Sequence, residues 1–207
     1  PPLLAARDTL DGYEIVRELH ASHRSHLYLA IAPDSGEQVA LKTPSVDLQD
    51  DASSLDRLLL EEWIARRVHN PHVVRAVPNS RRREHLFVAL EYVQGQTLAQ
   101  WMLDHPRPQL AEVRDIVAQI ARGLQALHHM EMLHQDLRPQ NIMIDHTGTV
   151  KIIDLGSVHV AGLAENAPFA DNHAILGTVQ YTAPEIFLGE PATPSADLFS
   201  LGVSLYE

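Results

Sequence analysis

The sequence predicts an α+β fold in two parts: a small antiparallel β lobe carrying one helix, then a larger, mainly helical lobe. Three observations point there. Strand-like runs bounded by turn residues fill most of the stretch from Tyr13 to Tyr92. One helical stretch interrupts them, between Ser53 and Val68. After Gly95 the apolar residues change period: Leu110, Val113, Val117, Ile120, Leu124 and Leu127 recur at steps of three, four and seven, which gives a helix one buried face. The boundaries that follow are a linker over 1–10, a first lobe over 11–92 and a second over 93–207.

Tyr13–Leu19, Leu27–Ala32 and Glu37–Thr43 form a meander, with Pro33-Asp34-Ser35-Gly36 supplying the turn between the second and third strands. Ser53 followed by Asp56 resembles a capped helix start, with Asp in place of the usual capping-box Glu. That helix stops before Asn70-Pro71, because a residue preceding proline is pushed out of the helical region. Val73–Val77 and His85–Tyr92 complete a five-stranded lobe. Beyond the long helix, Ile142–Ile144 and Val150–Ile153 form a short β pair around Asp145-His146-Thr147-Gly148.

With 207 residues and 45% hydrophobic composition, the chain can bury a sizeable core. A formal net charge of −11 argues against nucleic-acid binding, which needs a basic surface. The absence of cysteine excludes a disulfide framework and a zinc–thiolate site, and it fits a cytoplasmic location. No apolar run reaches membrane-spanning length. The chain starts at Pro1 and stops within the apolar pattern Leu198, Leu201, Val203, Leu205, so it reads as a piece of a longer protein.

The chemistry concentrates between the long helix and the β pair. In His134-Gln135-Asp136-Leu137-Arg138-Pro139-Gln140-Asn141, an Asp stands five residues before an Asn on a loop containing Pro. This spacing sets one carboxylate at an acceptor hydroxyl and one amide oxygen on a metal ion. Asp154-Leu155-Gly156 follows, a second carboxylate at a strand end. Hard oxygen ligands on two loops suit Mg²⁺ bridging phosphates, and phosphoryl transfer needs mainly positioning and charge neutralisation.

On these residues the chain resembles the eukaryotic-type (Hanks-type) protein serine/threonine kinases over nearly its full length. His134-Gln135-Asp136 stands where that family has H-R-D, and Asp154-Leu155-Gly156 where it has D-F-G. Val39-Ala40-Leu41-Lys42 matches V-A-I-K, the run Gly177 to Glu185 matches the segment ending in A-P-E, and Asp197 fits the Asp that supports the catalytic loop from the next buried helix. The resemblance implies a bilobal protein kinase-like fold, ATP and Mg²⁺ as cofactors and a protein substrate. It makes Asp136 the catalytic base, Lys42 the holder of the α/β-phosphates, Glu61 its partner, and Asn141 and Asp154 the metal ligands. Arg138 takes the place of a Lys that touches the γ-phosphate. Glu91 and Val93 offer backbone groups to the adenine, Leu90 limits the back pocket, and Leu27, Ala40 and Met143, with Leu19, enclose the ring.

Several positions depart from the family. The phosphate loop, G-x-G-x-x-G in the family, is His20-Ala21-Ser22-His23-Arg24-Ser25, with no glycine. Either nucleotide binding is lost or Ser22, Arg24 and Ser25 supply side-chain contacts in place of backbone ones; the retained Lys42, Glu61, Asp136, Asn141 and Asp154 favour an active enzyme. A metal site on His20, His23 and His26 is disfavoured because strand alternation scatters them. Gln135 replaces the Arg that grips a phosphorylated activation loop, and Leu155 replaces Phe. From Val158 to Gly177 there is no Ser, Thr or Tyr, so Phe169, Ile175 and Leu176 are expected to seat this loop, with Thr178 bonded to the catalytic loop. The family also places an Arg partner for Glu185 beyond Glu207.

The run Glu18 to Ala30, with Lys42-Thr43-Pro44-Ser45, further resembles the kinase half of bacterial bifunctional proteins in which a PP2C-type phosphatase precedes the kinase. Two other functions compete: a pseudokinase-type regulatory binding module, and a small-molecule kinase sharing the H-x-D-x-x-x-x-N loop. The segment from Gly177 to Glu185, which docks a peptide strand in the family, speaks against the latter.

Overall fold

In the computed structural model, the described residues are 3–45, 51–79, 82–162 and 179–207. The activation-loop expectations on Phe169, Ile175, Leu176, Gly177 and Thr178 lie outside them. The chain divides into two compact units, Pro1–Arg67 with Val74–Tyr92, and Val68–Val73 with Val93–Glu207.

The first unit is an antiparallel sheet of five strands in the order β1-β2-β3-β4-β5: Thr9–Leu10, Tyr13–Ala21, Ser25–Ile31, Gln38–Pro44 and Val88–Glu91. Apolar residues alternate along β2, so Tyr13 and Ile15 face the core while Glu14 and Val16 face outward. They pack with Tyr28, Leu41 and Phe87, and Tyr13 meets the Phe87 ring edge-on at 5.4 Å. The β3–β4 turn depends on Gly36, whose φ of +71° is a conformation glycine adopts at no steric cost.

Some details differ from the sequence reading: the strand read over His85–Tyr92 is formed over Val88–Glu91. Leu10, read as linker, is buried in β1. Val73–Val77, read as a strand, contributes two isolated bridges, Val73 to Ile152 and Ala76 to Leu90, because Pro71 and Pro78 bracket it and lack the N–H a ladder requires.

Helix α1 spans Ala52–Arg67. Its start lies one residue before Ser53, and Asp51 is the capping residue: its carboxylate accepts the Ser54 N–H at 3.0 Å. Leu58, Ile64 and Ala65 are buried.

The second unit contains α2 (Leu98–Asp104), α3 (Leu110–His128), α4 (Pro184–Phe187) and α5 (Pro194–Tyr206). It also holds β6 (Gly95–Thr97), β7 (Met132–Leu133), β8 (Ile142–Asp145), β9 (Val150–Ile152) and β10 (His159–Val160). Strands β6, β8 and β9 form one sheet and β7 pairs with β10. Gly95 is required where β6 meets β8, since a Cβ there would stand 2.0 Å from the Ile144 carbonyl oxygen. The predicted stripe on α3 is buried at Ile120, Leu124 and Leu127, but Leu110 is 83% exposed. Buried Gln119 couples α3 to the β8–β9 turn: its amide donates to Gly148 O at 3.1 Å and accepts Val150 N–H at 2.9 Å. No helix among the described residues is long and apolar enough to cross a membrane.

Candidate active site

In the first unit, the strand register gathers the residues expected to hold a nucleotide. Leu27 on β3 lies opposite Lys42 on β4, and Ala40 lies opposite Leu90 on β5. Lys42 donates to Glu61 Oε2 at 2.7 Å, and the Glu61 side chain is only 2% exposed. The neighbouring Glu62 takes different partners, Arg66 and Arg83. Glu91 gives its N–H to Arg75 O at 2.9 Å, so contact from its backbone to a base would run through the carbonyl.

The β2–β3 turn holds Ser22, Arg24 and Ser25, with Leu19 half-buried on the strand before it. Ser22, read from sequence as a phosphate contact, is the acceptor around which the turn closes. Its Oγ takes the N–H of Arg24 at 3.2 Å and of Ser25 at 3.0 Å, while Ser22 N donates to Ser25 O at 2.9 Å. A serine hydroxyl that satisfies local backbone amides stabilises a tight turn without glycine. The turn is also tied to β4, as Ser45 N donates to Arg24 O at 2.9 Å. Nearby, His26 pairs with Glu18 at 2.7 Å and stacks on Tyr28.

In the second unit, Asp197 organises the catalytic loop. Pro194 starts α5 and sets Asp197 in its first turn, fully buried. Its two oxygens accept the N–H groups of His134 and Gln135, each at 2.9 Å, and Oδ2 also meets His128 Nε2 at 2.8 Å. Burial alone would raise its pKa; the His128 hydrogen bond, with the charge of His134 and the two amides, outweighs that and holds it below the usual value. Gln135 is thereby kept at φ +62°, a strained conformation for a non-glycine residue.

Asp136 follows. Its Oδ2 accepts from the Asn141 amide at 2.9 Å, and the same nitrogen donates to the Asp136 carbonyl at 2.8 Å. Its Oδ1 is buried without a hydrogen-bond partner. Burial pushes the Asp136 pKa up, and Asp154 adds to this, against the opposing charges of Arg138 and His134. Arg138 Nε lies 3.6 Å from Asp136 Oδ2, an ion pair beyond hydrogen-bonding distance. The Asn141 carbonyl accepts the Ile153 N–H at 2.9 Å, which sets Asn141 beside the residue preceding Asp154. Asp154 is left-handed, at φ +60° and ψ +75°. Leu155, in place of Phe, is fully buried. Met143 sits on β8 opposite Thr97 and Lys151.

This loop suits a divalent cation. Both amide hydrogens of Asn141 are engaged, so its oxygen is the atom left for a hard metal, with an unpartnered buried Asp136 oxygen in the same loop, and the Ile153 N–H on the Asn141 carbonyl brings the segment that carries Asp154 alongside.

The motifs noticed in sequence thus fall into two local constellations, Lys42–Glu61 in one unit and Asp136–Asn141–Asp154 in the other. Sequence reasoning missed Arg83, Arg66, Asp11 and His128, all of which brace these groups. A signal was available for one of them, Arg66: Glu62 stands four residues before it, a helix ion-pair spacing.

Comparison with known proteins gives the family. The family model for the protein kinase domain matches residues 13–207. The chain belongs to the protein kinase domain family. It is 33% identical over 189 residues to the serine/threonine-protein kinase drp72 of Corynebacterium efficiens, covering 88% of this chain and 36% of that protein. It is 32% identical over 188 residues to PknA of Corynebacterium glutamicum, 88% of this chain and 39% of the relative. To PrkC of Bacillus subtilis it is 28% identical over 195 residues, 94% of this chain and 30% of the relative. The chain therefore spans between 30% and 39% of the length of these relatives. They are named as serine/threonine kinases, and the chain's kinship is with these bacterial Hanks-type enzymes.

Proposed function

We propose that this chain is the catalytic domain of an ATP-dependent protein serine/threonine kinase, with its small lobe over 11–92 and its large lobe over 93–207. The observation that carries the reading is Asp136: a buried carboxylate with one oxygen bonded to Asn141 and the other without a partner. In this reading, Asp136 Oδ1 accepts the proton of a serine or threonine hydroxyl as its oxygen bonds to the γ-phosphorus. The bond to the bridging oxygen breaks and ADP leaves. A raised pKa makes Asp136 a better proton acceptor than an exposed carboxylate. Lys42, held by Glu61, binds the α/β-phosphates, and Arg138 bears on the γ-phosphoryl group. Asn141 and Asp154 hold Mg²⁺, which when bound neutralises charge on the phosphates. Leu19, Leu27, Ala40 and Leu90 of the small lobe receive the adenine, with the Glu91 carbonyl as a polar contact; Val93 and Met143 are the large lobe's candidates from the family resemblance. Ser25 and Arg24 face the phosphates from the β2–β3 turn.

The finer reading is that this is the kinase half of a bacterial bifunctional protein with a PP2C-type phosphatase ahead of it, acting in the cytoplasm. The run from Glu18 to Ala30 supports it. Phosphatase activity of the whole protein against its own kinase product tests this part; a reading frame without such a domain ends it. For the kinase, ATP–Mg²⁺ turnover on a generic basic protein is the test, with Asp136→Ala as the inactive reference.

A further inference from the structure

Two glutamates stand side by side on α1, and only one of them holds Lys42. Adjacent helical residues are separated by about 100° of rotation. A turn of α1 by that amount would offer Glu62 to Lys42 in place of Glu61. The buried Leu58, Ile64 and Ala65 face α1 toward the core, and the contacts of Glu62 bear on its rotation as well.

The Glu62 carboxylate is gripped by two guanidinium groups. Arg66, one turn along the same helix, donates to Oε1 through Nε at 3.0 Å and Nη2 at 2.7 Å. Arg83 comes from the connection before β5 and donates through Nη2 to Oε1 at 2.7 Å and through Nη1 to Oε2 at 2.8 Å. This paired geometry is the strong, directional form of a charged hydrogen bond. Arg83 is itself anchored. Its Nη1 also donates to Phe87 O at 3.2 Å, and its guanidinium lies 4.9 Å from the centre of the fully buried Phe87 ring. The next two residues are held as well: Asp11 Oδ2 accepts the N–H of Glu84 at 2.8 Å and of His85 at 3.1 Å, and His85 Nδ1 meets Asp11 Oδ1 at 2.9 Å. A line of polar contacts thus runs from the sheet core through Arg83 to α1 at the level of Glu61. A further tie, Ala76 N–H to Ala65 O at 3.0 Å, lies a turn further on.

We infer that Arg83 is a positioning residue for phosphoryl transfer: by clamping Glu62 it fixes the rotation of α1 that presents Glu61, and not Glu62, to Lys42. The inference rests on the kinase reading for its effect on rate. Its structural part stands independently, because the Lys42–Glu61 pair can be observed without turnover.

Arg66 provides an internal comparison. It grips the same carboxylate, but from the same helix, so it cannot tie α1 to the sheet. If Arg83 merely relieves the burial of Glu62, the two arginines are equivalent. If it fixes the rotation, only Arg83 matters to Lys42.

The chain has two lysines, Lys42 and Lys151, so selective ¹⁵N-lysine labelling gives two side-chain signals from this region, and Lys42→Arg assigns them. Wild type gives the position of the Lys42 signal with the pair formed, and Glu61→Gln the position with it broken. Arg83→Met should move the signal most of the way to the Glu61→Gln position and lower kcat/KM for ATP about tenfold, most of it in kcat. Arg83→Lys should recover part of both. Arg66→Met should leave the signal at its wild-type position and change kcat/KM less than about twofold. Glu62→Gln, which keeps the volume and removes the charge, repeats the test should Arg83→Met fail to fold, and its Lys42 signal should move. A Lys42 signal that stays at the wild-type position in Arg83→Met or Glu62→Gln, whatever happens to melting temperature, overturns the inference. So does Arg66→Met moving it equally. Absence of turnover in wild type would count against the kinase reading alone, while the lysine signal still decides the role of Arg83.

Discussion

Asn141 donates both hydrogens of its side-chain amide to Asp136, one to the carbonyl at 2.8 Å and one to Oδ2 at 2.9 Å. In the proposed kinase reading, one residue thereby orients the base and leaves its own oxygen for the metal. Asn141→Ala should lower kcat by on the order of 10²-fold or more and raise the Mg²⁺ concentration needed for half-maximal rate. Titrating Mg²⁺ against initial rate separates the two losses. A change in kcat with an unaltered Mg²⁺ requirement would leave Asn141 as a brace only.

Asp136 sets an acid limit on activity and a stability cost at neutral pH. Its folded pKa is raised above the ordinary aspartate value of 3.8, chiefly by burial. The folded state therefore binds this proton more tightly than the unfolded chain does. The corresponding stabilisation is present below 3.8 and is lost as pH rises through the folded pKa. Asp136→Asn should accordingly melt higher than wild type at pH 7 without Mg²⁺, with the gap closing toward acid, while turnover is abolished. Melting curves of both proteins between pH 4 and 8 check this. A lower melting temperature for Asp136→Asn at pH 7 would contradict it.

Asp197 works with the opposite sign. Its pKa is lowered, so its contribution is present above 3.8 and is lost as pH falls through the folded value. Glu62 behaves likewise, starting from 4.5. Asp197→Ala leaves the amides of His134 and Gln135 without their acceptor and should cost about 3–5 kcal/mol, the range for breaking a buried charged network. Chemical denaturation measures it. Its pH profile should be flatter than that of wild type on the acid side.

The β2–β3 turn offers a test of how a loop without glycine treats phosphates. Ser22 Oγ occupies the Arg24 and Ser25 amides that could otherwise turn to a phosphate. Ser22→Gly should therefore lower the KM for ATP several-fold, and hydrogen exchange at Arg24 and Ser25 should speed up as the acceptor is lost. Arg24→Ala should weaken ATP binding by about 1–2 kcal/mol, the scale of one charge-assisted contact. An unchanged KM in Ser22→Gly would mean these amides never meet the nucleotide.

Much of this was legible in the sequence, and the misses have definite causes. Alternating apolar residues reveal β2, and the period of α3 reveals its buried face, because both signals are local. Leu110 is misjudged because a helix's first turn can run past the core its later turns pack against. Asp51 and Ser53 are both capping residue types, and nothing in the sequence ranks them. Val73–Val77 has strand composition, but the flanking prolines decide against a continuous ladder. The candidate chemical residues stood out because Lys42, Asp136, Asn141 and Asp154 stand at fixed positions in motifs. Arg83 was invisible since its partner lies 21 residues away, and the local bonds of the Ser22 hydroxyl to its own turn carry no sequence signal.

The central claim is most directly tested by phosphoryl transfer from radiolabelled ATP–Mg²⁺ to serine or threonine, in the protein itself or a basic protein substrate, with Asp136→Ala and Lys42→Met alongside. The account predicts transfer by wild type and a fall of about 10²–10⁴ or more in both variants, each still folded by circular dichroism. Label incorporation by wild type no greater than by Asp136→Ala would contradict it.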